Sequence, residues 1–172
     1  MPLTSATITR LEKAAVDNGF DQETERGPEW LGFSSTQAPL QIWLTALEEG
    51  LFIAAFSQQN VVRALSALGE VFSGALPAGA SGARCVVDIP ALHHLVRRAF
   101  QLSKTLPDEL LHTFVKKTAT LPRTTEAERL VVQRVGQDIF RGGLIEYWEG
   151  TCAITGLALP ELLRASHTKP CA

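Results

Sequence analysis

The sequence predicts an α+β chain in which an N-terminal helix and a β-hairpin form one lobe and a mainly helical stretch follows. Three observations predict it. Leu40, Ile42, Leu44 and Ala46 alternate with Gln41, Trp43 and Thr45, the period of a strand with one buried face. Leu92, Leu95, Val96, Ala99 and Leu102 recur at helical spacing and form an apolar stripe. Thr125, with Glu128 three residues on, is a capping box that opens a long helix.

The first helix is expected over residues 4–18, with Thr4 or Ser5 as cap, Ile8, Leu11 and Ala15 on one face and Gly19 closing it. The acidic run DQETERGPEW reads as a loop, and Trp30-Leu31-Gly32-Phe33 as a short strand. Glu48-Glu49-Gly50 turns the 40–46 strand back into the apolar run Leu51 to Phe56, completing a hairpin. Val61, Val62, Leu65 and Leu68 predict a helix over 58–68. The stretch SGALPAGASGA, 73–83, has the composition of a flexible connector and divides an N-terminal lobe, 1–72, from the rest. In the helical region 84–124, Cys85-Val86-Val87 reads as a strand and Asp88 caps a helix with Pro90 in its first turn. A further helix starts at Pro107-Asp108 and ends before Pro122. The long helix from Thr125 is expected to weaken or bend at Gly142-Gly143.

At 172 residues, 45% hydrophobic and 20% charged, the chain is long enough for one sizeable core or two small lobes. No apolar run approaches the roughly 20 residues of a membrane span. The start, MPLTSATITRLEK, lacks a secretory layout. Cys85, Cys152 and Cys171 are scattered without a CxxC pair, so neither a zinc knuckle nor a disulfide framework is expected. A cytoplasmic setting follows, with no membrane partner. Residues 1–89 carry five Lys/Arg against ten Asp/Glu, a net of −5; residues 90–172 carry eleven against eight, a net of +3. A basic half fits an approach to phosphates, and a solvated surface explains the excess equally well.

The last 48 residues, TEAERLVVQRVGQDIFRGGLIEYWEGTCAITGLALPELLRASHTKPCA, carry the most specific signal. A capped helix runs into a tight apolar strand, Cys152 to Gly156, and a second apolar segment delivers Ser166-His167-Thr168-Lys169-Pro170. The run resembles the opening of an HNH-type endonuclease module, in the subfamily with the pattern GQ..FR..L...W.G.CA.TGL..PELLRASH.KP. The resemblance implies that 125–172 is the start of such a module, leading into the first hairpin of a ββα-metal fold. It implies a double-stranded DNA partner, a divalent metal (magnesium, manganese or zinc) and a bacterial restriction or defence role. It places His167 at the general-base position, where an imidazole with a near-neutral pKa draws a proton from the attacking water. In the family an asparagine orients that histidine, a later histidine or acidic residue helps hold the metal, and the metal neutralises charge on the phosphate. Only five residues follow His167 here, so those partners have no counterpart. The expectation is a site truncated within the motif and a chain that cuts little as it stands. Ser166 replaces the metal-binding Asp of some members, and Thr168 and Cys171 stand where the subfamily carries apolar and tryptophan residues.

Arg134, Gln137 and Arg141 fall at i, i+3 and i+7 and share a helix face. With Lys169 the two arginines are the candidate DNA contacts, and the alternative is a solvated face. His93 and His94 point about 100° apart and cannot chelate together, so one packs and the other is solvated. His112 has no acidic or thiol neighbour at ligand spacing. Cys152 fits small-core packing better than metal binding, and Cys171 lacks two further partners. Trp30 and Trp43 fit packing better than base stacking. Three readings stay open: an HNH-type endonuclease, a non-catalytic remnant or fragment that binds DNA or a protein, and an α+β interaction module in which the C-terminal resemblance is vestigial.

Overall fold

A computed structural model describes residues 3–48, 50–122 and 124–165. The fold is α+β, with five α-helices and a six-stranded antiparallel sheet among the described residues. The chain divides into two compact units, Met1–Ser103 and Lys104–Ala172.

In the first unit, the Thr4 hydroxyl accepts from the Thr7 N–H at 3.2 Å and caps α1 (Ser5–Val16). Leu11, Ala14 and Ala15 on its inner face are fully buried. The helix closes where Phe20 N–H returns to the Ala15 carbonyl and Gly19 N–H to Val16, with Gly19 at φ 92°. The strands are β1 (Gln22–Arg26), β2 (Leu31–Ser34), β3 (Gln41–Glu48), β4 (Leu51–Phe56), β5 (Glu70–Val71) and β6 (Gly82–Val86). They lie in the order β1-β2-β3-β4-β6-β5. The expected 40–56 hairpin is present as β3 and β4, with Ile42 opposite Phe56 and Leu44 opposite Ala54.

Both faces of β4 are buried, as a central strand requires. On one face Phe52, Ala54 and Phe56 stand beside Val86, Arg84 and Gly82. Helix α2 (Gln59–Ala64) covers that face: Val62 closes on Gly82 and its carbonyl accepts from Arg84 Nη2 at 3.2 Å. On the other face Trp43, Ile53, Ala55 and Ala83 form a second cluster, with Trp30, Phe72, Ala80 and Cys85 packed against it. Asp88 caps α3 (Ile89–Thr105) by accepting from the Ala91 N–H at 2.6 Å. The predicted stripe Leu92, Leu95, Val96, Ala99 and Leu102 is wholly buried.

Five expectations need correction. The acidic run around 22–26 is a strand, β1, and not a loop. All five of its side chains are exposed, so burial gives no alternation; backbone pairing to β2 and the Arg26 ion pairs with Glu23 and Glu12 hold it. A charged edge strand of this kind also blunts edge-to-edge association. Residues 73–83 are not a boundary: Phe72 and Ala80 cover the second face, and 82–86 is β6, paired along its length with β4. The division falls instead at 103/104. The 58–68 helix ends early, at Ala64.

The other two corrections lie in the second unit. Here α4 (Pro107–Thr118) and α5 (Glu126–Tyr147) run antiparallel, with Leu110 beside Gly143 and Phe114 beside Gly136. Helix α5 continues through Gly142-Gly143. Gly143 is buried, and a Cβ there would come within 2.7 Å of Leu110 Cδ2, so that glycine permits close packing. Cys152 to Gly156 is a turn and not a strand. The helix is opened by the expected box: Thr125 accepts from the Glu128 N–H at 3.2 Å, and the Glu128 carboxylate accepts from the Thr125 N–H at 2.8 Å.

Burial differs sharply between the units. Every fully buried apolar side chain among the described residues belongs to the first, while in the second only Thr105, Thr118 and Gly143 are buried. Leu111, Val115, Leu130 and Val131 on the second unit's helices are all more than half exposed. Full burial of a Leu or Phe stabilises by about 1.5–3 kcal/mol, a contribution the second unit lacks among its described residues.

Candidate nucleic-acid interface

The residues after α5 form a compact end-piece. Gly150 N–H returns to the Ile145 carbonyl at 2.7 Å, with Glu149 and Gly150 at φ 53° and 71°, and this ends the helix. Cys152 N–H donates to the Leu157 carbonyl at 2.9 Å and Gly156 N–H to the Cys152 carbonyl at 3.0 Å, with Gly156 at φ 71°. These left-handed positions turn the chain and prevent the expected extended strand. A short 3₁₀ turn, Pro160–Leu162, follows.

Arg141 reaches this end-piece. Its Nη2 donates to the Pro160 carbonyl at 3.2 Å and to the Leu163 carbonyl at 3.4 Å. Pro160 also rests on Gly150, where a Cβ would lie 3.0 Å from the proline Cγ. A cleft of about 180 Å³ lies beside it, lined in part by Arg141, Trp148, Cys152, Leu163 and Arg164. That is below the several hundred Å³ of an ordinary small-molecule site. A groove of about 450 Å³ between α4 and α5 carries charges of both signs, including Lys117, Asp138 and the Lys104–Glu146 ion pair at 2.8 Å. Among the described residues neither space gathers a nucleophile, a base and an orienting group.

The Cys152 thiol accepts from Thr155, whose N–H lies 3.4 Å from Sγ, and these Thr155 hydrogen bonds pull its pKa below the usual thiol value. Among the described residues no three His, Cys, Asp or Glu side chains converge as a metal would need. His167 and Lys169 lie outside the described residues, as do Ser166 and Cys171.

The other candidates fall as follows. Arg134 is exposed on α5, and no side-chain hydrogen bond or ion pair joins it to the other described residues. It borders a shallow surface groove with Leu130, Val131 and Gln137. Arg141 shares that helix face but spends its guanidinium on the end-piece carbonyls, which the spacing 134, 137, 141 did not reveal. His93 packs: its Nδ1 accepts from Asn18 Nδ2 at 3.2 Å, while Asn18 Oδ1 accepts from Arg97 Nε at 3.4 Å. His94 is exposed, and so is His112. Trp43 is 2% exposed and Trp30 meets Phe72 edge-on at 6.4 Å, so both are packing residues. Sequence reasoning missed Gly150 and Pro160 as a seat for the end-piece. The signal was present as a glycine closing a helix and a proline ten residues later, but their contact is set by the turn between them.

Divided where the structure divides it, the chain carries seven Lys/Arg against ten Asp/Glu in the first unit, a net of −3, and nine against eight in the second, a net of +1. The basic excess is therefore local to particular side chains. Among the described residues no helix is long and apolar enough to cross a membrane. Comparison with protein-family models, with curated proteins and with solved structures finds no match.

Proposed function

We propose that this chain is a cytoplasmic DNA-processing protein of HNH-endonuclease descent, whose second unit approaches the phosphate backbone of double-stranded DNA. The reaction class is metal-dependent phosphodiester hydrolysis, with magnesium, manganese or zinc as cofactor and His167 as general base. Arg134 and Lys169 are the phosphate contacts, and a restriction or defence setting is the biological context. One observation carries the reading: the residues spaced in the C-terminal run are those that build the end-piece. Arg141, Gly150, Cys152, Thr155, Gly156 and Pro160 each cap, turn or seat the segment that leads to His167.

A second reading, a non-catalytic module that binds DNA or a protein, is favoured by the exposed apolar side chains of α4 and α5. Plasmid nicking with magnesium or manganese separates the two. On the first reading wild type nicks only weakly, because the site is truncated within the motif, and His167→Ala binds DNA equally but loses that residual nicking, as removal of a general base worth about 100-fold requires. Nicking that survives His167→Ala rejects the assignment. Binding without nicking favours the non-catalytic module.

A further inference from the structure

We infer that the segment Leu157 to Ala165 is a latch on Arg141, and that a polyanion competes with it for the guanidinium. The inference rests on the proposed approach to DNA. Its physical ground is the quality of the contacts. Arg141 is exposed, and its Nη2 makes two long hydrogen bonds, 3.2 and 3.4 Å, to neutral carbonyls. The guanidinium carries its charge in both contacts, and a phosphate adds a charged acceptor and a bidentate geometry that the neutral carbonyls do not offer. The latch therefore holds Arg141 against water and yields it to phosphate.

The second anchor of the latch is independent of charge. The Pro160 ring sits against Gly150 (φ 71°), where a Cβ would come within 3.0 Å of the ring Cγ. Beyond Pro160–Leu162 the described residues Leu163, Arg164 and Ala165 line the same small cleft as Arg141. One side of the contact is thus steric and the other polar, so they can be broken separately. Arg134 lies seven residues earlier on the same helix face, about 10 Å along the axis. Once released, Arg141 joins it in a two-point grip on one backbone.

Opposite signs follow for two kinds of substitution. Pro160→Ala and Gly150→Ala loosen the seat without touching Arg141, so they free the guanidinium. Each raises affinity for duplex DNA about threefold, the worth of one exposed hydrogen bond to a neutral acceptor. Arg141→Ala lowers affinity and flattens the salt slope by about one unit. Pro160→Ala serves as the control should Gly150→Ala disturb the end of α5.

The experiment is hydrogen exchange by mass spectrometry on the full chain, with and without a duplex of about 20 base pairs, with affinity measured by anisotropy in the same buffer. The expected result is that DNA speeds exchange over 157–165 in wild type. Arg141→Ala shows that faster exchange without DNA, and DNA then changes it no further. A wild-type chain that binds DNA with exchange over 157–165 unchanged or slowed overturns the latch and leaves the DNA reading standing. Pro160→Ala weakening the binding overturns it as well. A chain that binds no duplex overturns both.

Discussion

Gly142 and Gly143 are adjacent in α5 and have opposite surroundings. A Cβ at 142 meets nothing within 4 Å, whereas one at 143 meets three atoms of Leu110. Ala at an open helical position stabilises by about 1 kcal/mol relative to Gly. Gly142→Ala is therefore expected to raise the stability of the second unit by about that amount. Gly143→Ala has the same propensity gain but displaces Leu110, so it falls short of Gly142→Ala. Urea unfolding followed by helix ellipticity measures both, and equal gains would contradict the packing described at Leu110. The sequence alone treats the pair as one weak point, because adjacency in the chain hides which glycine faces the neighbouring helix. The same limit applies to Arg134 and Arg141. Their shared face was legible at i and i+7, but the hydrogen bonds of Arg141 to Pro160 and Leu163 span 19 and 22 residues and leave no periodic trace.

At the scale of elements, the local signals were the dependable ones. The caps at Thr4, Asp88 and Thr125, the alternation of β3 and the stripe of α3 all rest on short spacings that backbone geometry imposes directly. β1 was not legible, since a strand with five exposed polar residues shows no buried face. β6 was legible only at its end, Cys85-Val86; its start was obscured by the Gly-, Ser- and Ala-rich stretch before it, whose composition matches a linker although Ala80 packs on the sheet. The Thr125 box also yields a pH dependence. Hydrogen bonds from the Thr124 hydroxyl, then from the Thr125 and Thr124 backbone, hold the Glu128 pKa below its ordinary value. A carboxylate with a depressed folded pKa contributes stability above its unfolded pKa, about 4.3, and loses it as pH falls through the folded value. Helicity of the second unit should therefore drop below about pH 4, and Glu128→Gln should remove that component and lower helicity at about pH 7. An identical acid profile in the variant would reject the box as its source.

For the whole molecule, the division of labour follows from burial. The first unit holds the core: a sheet buried on both faces at β4, closed by α1, α2 and α3. The second holds Arg134, the end-piece and the segment toward His167, with exposed apolar helices and no large apolar core among its described residues. Its net charge of +1 is too small for long-range steering, so on the proposed reading contact with phosphates would depend on a few placed side chains. Binding of that kind would be weak, indifferent to sequence and dependent on salt by about one unit of slope per contact.

Affinity for a duplex at several salt concentrations, in wild type and in the double variant Arg134→Ala, Lys169→Ala, tests that claim most directly. Each contact removed releases about one counterion fewer, so the variant's plot of log affinity against log salt should be shallower by about two units. The loss should be the same on duplexes of unrelated sequence. A slope equal to that of wild type, or a wild type that binds no duplex even at low salt, would contradict the account.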